Sequence, residues 1–187
     1  MRVRSWIVPI GVVTLLLTSG CAGPVPEPVA SGSAAAGEAF FASEEEAVEA
    51  AQLVLDDYIA AINEVLADGG VLTGQLDGIA TEELIDQQDS GFEEYRSGGL
   101  TLVGRTTVDS FEVQQYIPLA EEGSPVLVAY FCRDVSATDV LNDEGDSMVP
   151  AERPLRLAFQ AEFIADPVRN SLTIAGDEQW QSGNFCA

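Results

Sequence analysis

The chain has no histidine and no lysine. All eight of its basic residues are arginine, set against 31 Asp and Glu in 187 residues, for a formal net charge of −23. Each absence excludes a chemistry. Without imidazole there is no Ser-His-Asp or Cys-His nucleophile and no histidine metal ligand. Without a lysine amine there is no Schiff base and no phosphate-loop lysine. A chain this anionic is repelled by phosphate backbones and anionic membrane surfaces, so no nucleic acid partner is expected. What remains, 47% hydrophobic and 21% charged residues, is the composition of a foldable globular chain and not of a disordered acidic tail.

The first twenty residues read as an address. Arg2 and Arg4 give a positive start, no acid occurs before Glu27, and an apolar run follows from Ile7 to Leu17. That run is about half of the roughly 20 residues a spanning helix needs. With the small residues Thr18, Ser19 and Gly20 after it, residues 1–20 are expected to be an export signal. The junction Leu17-Thr18-Ser19-Gly20-Cys21 resembles the lipobox of bacterial lipoproteins. In that family the signal is cut before the cysteine, which receives a diacylglyceryl group. Thr18 departs from the pattern, which more often has Leu, Val or Ile there, and ordinary cleavage after Ala22 or Gly23 is the alternative. The resemblance implies lipidation at Cys21, palmitate-type acyl chains, and a place on the outer face of a cytoplasmic membrane. Two or more acyl chains on one cysteine suffice for stable anchoring.

Residues 21–38 carry Pro24, Pro26 and Pro28 and then small residues with no helical or strand period, the composition of a tether. Residues 39–187 are the size of one domain. Ser43 with Glu46 makes a capping box ahead of a helix over residues 44–68, whose apolar face carries Val48, Ala51, Leu55, Ile59, Ile62, Val65 and Leu66 before Gly69-Gly70 ends it. Thr81 opens a second helix over 82–96, stopped at Gly98-Gly99. The period then changes to two, which predicts strands over 100–108, 111–117, 126–134, 155–165 and 172–180, with Asp166–Asn170 as a hairpin loop. Such short connections cannot hold crossover helices, so the expected architecture is α+β, two N-terminal helices packed on an antiparallel sheet of about five strands. In residues 155–165 one face carries Leu155, Leu157, Phe159, Ala161 and Phe163 and the other Arg156, Gln160 and Glu162. The latter three are the candidate interaction face.

With Cys21 assigned to lipid, Cys132 and Cys186 remain as an even pair in an exported chain, for which a disulfide is the expected state. By loop entropy such a bridge contributes on the order of 4 kcal/mol.

The two helices, the long strands, Tyr130-Phe131-Cys132-Arg133-Asp134-Val135-Ser136 and the terminal Trp180, Gly183 and Cys186 together resemble a group of uncharacterised actinobacterial lipoproteins. Those are similar to the nuclear-transport-factor-2-like (cystatin-like) superfamily. The resemblance implies a curved, cone-like sheet with helices inside it. That superfamily hosts enzymes, ligand binders and interaction modules, so the fold leaves function open.

Some of those enzymes use an aspartate inside the cone as a proton-transfer base, which makes Asp134, Asp109 and Tyr130 the candidate cavity residues. A buried carboxylate there would have a raised pKa, with Tyr58, Tyr95, Tyr116 or Tyr130 as donor, while Asp134 paired with Arg133 or Arg105 is the structural alternative. Phe111, Phe131, Phe159, Phe163 and Trp180 are expected to fill the space between sheet and helices, or to line a pocket. The loop 139–146 is rich in acids, yet an EF-hand frame with Gly145 at its sixth position would start at Val140 and end at Ala151, neither a ligand. Asp143, Glu144 and Asp146 are the residues a loose Ca²⁺ site would use. No cofactor and no catalytic set is expected. The functional expectation is a non-enzymatic, membrane-anchored lipoprotein that binds another protein of the cell envelope. Two alternatives stand beside it: a carrier of a small molecule held in the cone, and a carboxylate enzyme.

Overall fold

The computed structural model describes residues 39–186. The expected signal (1–20), Cys21 and the tether to residue 38 lie outside them. Helix α1 (Glu44–Ala67) starts where the sequence places it, with the Ser43 hydroxyl accepting from the Glu46 N–H at 3.2 Å. The Glu46 carboxylate reaches back one residue further than a capping box requires and accepts from the Ala42 N–H at 2.9 Å. Helix α2 (Glu82–Gly98) is capped at its start by Thr81, whose hydroxyl accepts from the Leu84 N–H. Six strands follow: β1 (Thr101–Gly104), β2 (Thr107–Tyr116), β3 (Pro125–Asp134), β4 (Thr138–Leu141), β5 (Arg156–Asp166) and β6 (Ser171–Gln179). Every ladder is antiparallel, with β2-β3-β5-β6 as one sheet and β1-β4 as a separate ribbon. The α+β class stands; the strand boundaries are revised in two places.

The first expected strand is cut at Gly104, not at Asp109-Ser110. Gly104 has φ 87° and a Cβ there would overlap the Ala137 carbonyl oxygen, so only glycine lets the β1-β4 ribbon close. The chain then leaves the ladder at Thr106, and Asn63 of α1 takes the place of a strand partner. Its amide oxygen accepts from the Thr106 N–H and its amide nitrogen donates to the Thr106 carbonyl, both at 2.9 Å. At Asp109-Ser110, where a break was expected, the strand continues through a bulge with Ser110 at φ 53°. The short strand β4 was not expected at all.

The core lies between α1 and one face of the four-stranded sheet. Leu55, Tyr58, Ile59 and Val65 of α1 pack over Leu127, Ala129, Phe131, Ala161, Phe163 and Ile174, and α2 adds Leu84 and Phe92. Both edges of the sheet are guarded against stray pairing. Strand β2 has two register shifts. The β6 edge is taken by the segment before α2, where Ile174 N–H donates to the Ile79 carbonyl and Thr81 N–H donates to the Ile174 carbonyl, each at 2.9 Å. No helix among the described residues is long and apolar enough to cross a membrane.

Candidate functional site

Strand alternation sorts the candidate residues onto two faces. On the helix-facing side, Arg133 sits beside Phe131 and Phe159 with its guanidinium carbon 3.9 Å from the Phe159 ring centre. One of its terminal nitrogens donates to both oxygens of Asp177 at 2.9 Å. The same carboxylate accepts from the Tyr58 hydroxyl at 3.0 Å. Tyr58 is fully buried, and burial first, then the Asp177 charge, push its hydroxyl pKa far above the ordinary value. The Arg133 Nε is buried without a hydrogen-bond partner among the described residues; the aromatic face against the guanidinium offsets part of that loss. This network was not foreseen. The sequence offers Tyr58 only as one of four donors beside a cavity carboxylate and Arg133 only as a partner for Asp134, and Asp177 is 119 positions from Tyr58.

Asp134 is therefore not the partner of Arg133. The two are consecutive on β3 and point to opposite faces. Asp134 accepts from the Ser136 N–H at 2.7 Å, and hydrogen bonding from Ser136, its side chain first and then its backbone, holds the carboxyl below the usual carboxylate range, the reverse of the raised pKa expected for a cavity base. Asp109 is likewise held low, first by hydrogen bonding from Arg156 and then from Ser110. Asp109 also borders a cleft of about 230 Å³ between α1 and β2, with Leu55, Asp56, Phe111 and Phe131.

The opposite face of the sheet is built by the C-terminal segment. Cys132 and Cys186 are joined, with a sulfur separation of 2.00 Å and Cα atoms 5.6 Å apart. The bridge is buried with Ala158 under Trp180, so Trp180 lies away from the helices and not between them and the sheet. Tyr130 belongs to this face as well. Its ring is 4.9 Å from Trp180 and 5.5 Å from Phe185, and its hydroxyl accepts from the Gln114 amide at 2.6 Å. Arg156, expected on the open interaction face, is instead engaged within the fold. It pairs with Asp109, donates to the Cys186 carbonyl at 2.5 Å, and its own carbonyl accepts from Asn184 at 2.9 Å.

Gln160 and Glu162 lie further along β5 and line a cleft of about 340 Å³ together with Glu83, Gln87, Gly176 and Glu178. The register aligns Glu112, Tyr130, Gln160 and Glu178 in one row across all four strands. Gly176 faces Glu162 in the neighbouring row, where a Cβ would sit 3.2 Å from the Glu162 Cγ; the missing side chain gives the glutamate room to lie along the sheet. Glu178 and the row as such needed the strand register, which the sequence pattern does not provide.

The acidic loop after β4 is a turn organised by Asn142, whose side-chain oxygen accepts from the Glu144 N–H at 3.0 Å and the Asp146 N–H at 2.9 Å. Asp143, Glu144 and Asp146 do not converge there. Among the described residues no group of three or more His, Cys, Asp or Glu is arranged to hold a metal ion. Compared with protein-family models and with curated proteins, the chain matches none of either.

Proposed function

We propose that this protein is an exported lipoprotein, anchored to the outer face of a cytoplasmic membrane through Cys21, whose folded domain is a non-enzymatic interaction module for another protein of the cell envelope. The Cys132–Cys186 bridge carries the reading. Paired cysteines favour an oxidising compartment, and this pair fastens the segment that builds an aromatic and polar sheet face. The lipobox-like Leu17–Cys21, the Pro-rich stretch after it and the likeness to nuclear-transport-factor-2-like lipoproteins, with their cone-shaped sheet, support the same reading.

The chemistry of the carboxylates favours binding over catalysis. A proton-transfer base works best with a pKa raised toward neutrality, whereas Asp109 and Asp134 are held low. Tyr58, Asp177 and Arg133 are paired with one another between α1 and the sheet. The alternative, a small-molecule carrier with its ligand between helix and sheet, draws on the cleft between α1 and β2; that cleft's volume of about 230 Å³ is below the range of about 300–1,000 Å³ of most ligand pockets, which the open surface clefts of about 340–760 Å³ outside the core do reach.

The test is fractionation of cells producing the full chain and its Cys21→Ala variant, with protease added to intact spheroplasts. The proposal expects the full chain in membranes and cleaved by external protease, and the variant free of the membrane. A chain protected from protease, or a variant that stays in membranes, contradicts it.

A further inference from the structure

The outward row of the sheet has acids at both ends and hydrogen-bonding groups between them: Glu112, Tyr130, Gln160 and Glu178 in direct register. Beside it stand Trp180 and Phe185, the latter 47% exposed. On its other side lies Glu162, turned along the sheet over Gly176. Among the described residues Glu83, Glu112, Glu162 and Glu178 form no ion pair with arginine. Of the six arginines among the described residues five are engaged elsewhere: Arg96 with Asp89 and Glu93, Arg133 with Asp177, Arg156 with Asp109, Arg169 with Asp166, and Arg153 with the Val135 and Thr138 carbonyls; Arg105 forms no ion pair.

Resting on the interaction-module reading above, we infer that this face docks an extended, cationic protein segment laid across the strands between the aromatic wall and Glu162. Three inter-strand steps of about 4.8 Å put Glu112 and Glu178 roughly 14 Å apart. That is too far to share one metal ion. It matches two Arg or Lys side chains about four residues apart in an extended segment, which rises about 3.3 Å per residue. Gln160 and the Tyr130 hydroxyl, which accepts from Gln114 and keeps its own proton to donate, offer hydrogen bonds to the segment's backbone, and Tyr130, Trp180 and Phe185 offer rings to a guanidinium. A second copy of this chain is a poor occupant: it brings like charge, and five of its arginines are already held. The charges would set the rate and register of docking, and the aromatic wall its residence time.

The test is photo-crosslinking in intact cells with p-benzoylphenylalanine placed, in separate full-chain variants, at Gln160, at Gln87 on the rim of the cleft, and at Leu53, exposed on α1 as a control. The inference expects adducts from positions 160 and 87 on a partner peptide with two basic residues about four apart. It expects the yield to fall at least tenfold in Glu112→Gln/Glu178→Gln, while Glu121→Gln/Glu122→Gln, with the same charge change in a loop, stays within twofold. Adducts on a neutral or acidic peptide, or an unchanged yield in the Glu112/Glu178 variant, overturn the inference. Adducts from Leu53 alone overturn the face and leave the interaction module standing. No adduct from any position overturns both.

Discussion

The hydroxyl of Tyr58 in α1 donates to Asp177 in β6 at 3.0 Å, and the carboxylate it reaches is the one that Arg133 holds from β3. One acid thus ties the helix to two strands in the interior. Asp177 exposes 3% of its side chain and Arg133 16%, so removing the acid leaves a nearly buried cation without a partner. Asp177→Ala is expected to lower the unfolding free energy by about 3–5 kcal/mol. Tyr58→Phe, which deletes one hydrogen bond and leaves the ion pair, should cost about 1 kcal/mol. Urea unfolding followed by circular dichroism checks both; equal, small losses would show that the pair is peripheral to the core.

The same tyrosine makes stability depend on high pH. Its folded-state pKa is raised, chiefly by burial, above the ordinary value of about 10. Its contribution is complete below pH 10 and declines as the pH rises further, because the unfolded chain releases the proton and the folded chain keeps it. Unfolding free energies between pH 9 and 11.5 should fall more steeply for the natural chain than for Tyr58→Phe. Parallel curves would contradict the assignment.

Asp109 acts at the other end of the scale. Arg156 holds its carboxyl below the usual range, so its contribution is present above the ordinary aspartate value of about 3.9 and is lost as the pH falls through the lower folded value. Asp109→Asn should lower stability at neutral pH and flatten the acid limb below about pH 4, so that the two curves converge at low pH. An unaltered acid limb would show that the Arg156 contact adds nothing in solution.

The bridge from Cys132 to Cys186 closes a span of 54 positions. The Cys132→Ala/Cys186→Ala variant should lose on the order of 4 kcal/mol by loop entropy. It should also shift Trp180 emission to longer wavelength, because the bridge and Arg156, through the Cys186 carbonyl, hold the segment that packs Trp180 over Ala158. A variant that loses stability with Trp180 emission unchanged would show that the segment is held without the sulfur link.

The helices and long strands were legible because their signals are local: Ser43 and Thr81 as caps, apolar spacing in α1, alternation in β3, β5 and β6. The cut at Gly104 was not, because its cause is the Ala137 carbonyl in the turn before β4, and no local pattern reports that contact. Asn63 looked like one more polar residue on a helix, although it satisfies the backbone of Thr106. Of the candidate site, alternation in β5 alone brought out Gln160 and Glu162. It also brought out Arg156, whose engagement by Asp109 and the Cys186 carbonyl depends on the sheet register and the path of the C-terminus. Tyr130 and Asp134, expected inside the cone, lie instead on the sheet face away from α1, where the C-terminal segment packs.

The most direct measurement is the intact mass of the full chain extracted from membranes in detergent without reductant, followed by alkylation. The account predicts a chain that begins at Cys21, carries a diacylglyceryl group there, and takes up no alkylating agent at Cys132 or Cys186. A chain that retains residues 1–20, or begins after Ala22 or Gly23 without lipid, or has free thiols at Cys132 and Cys186, contradicts it.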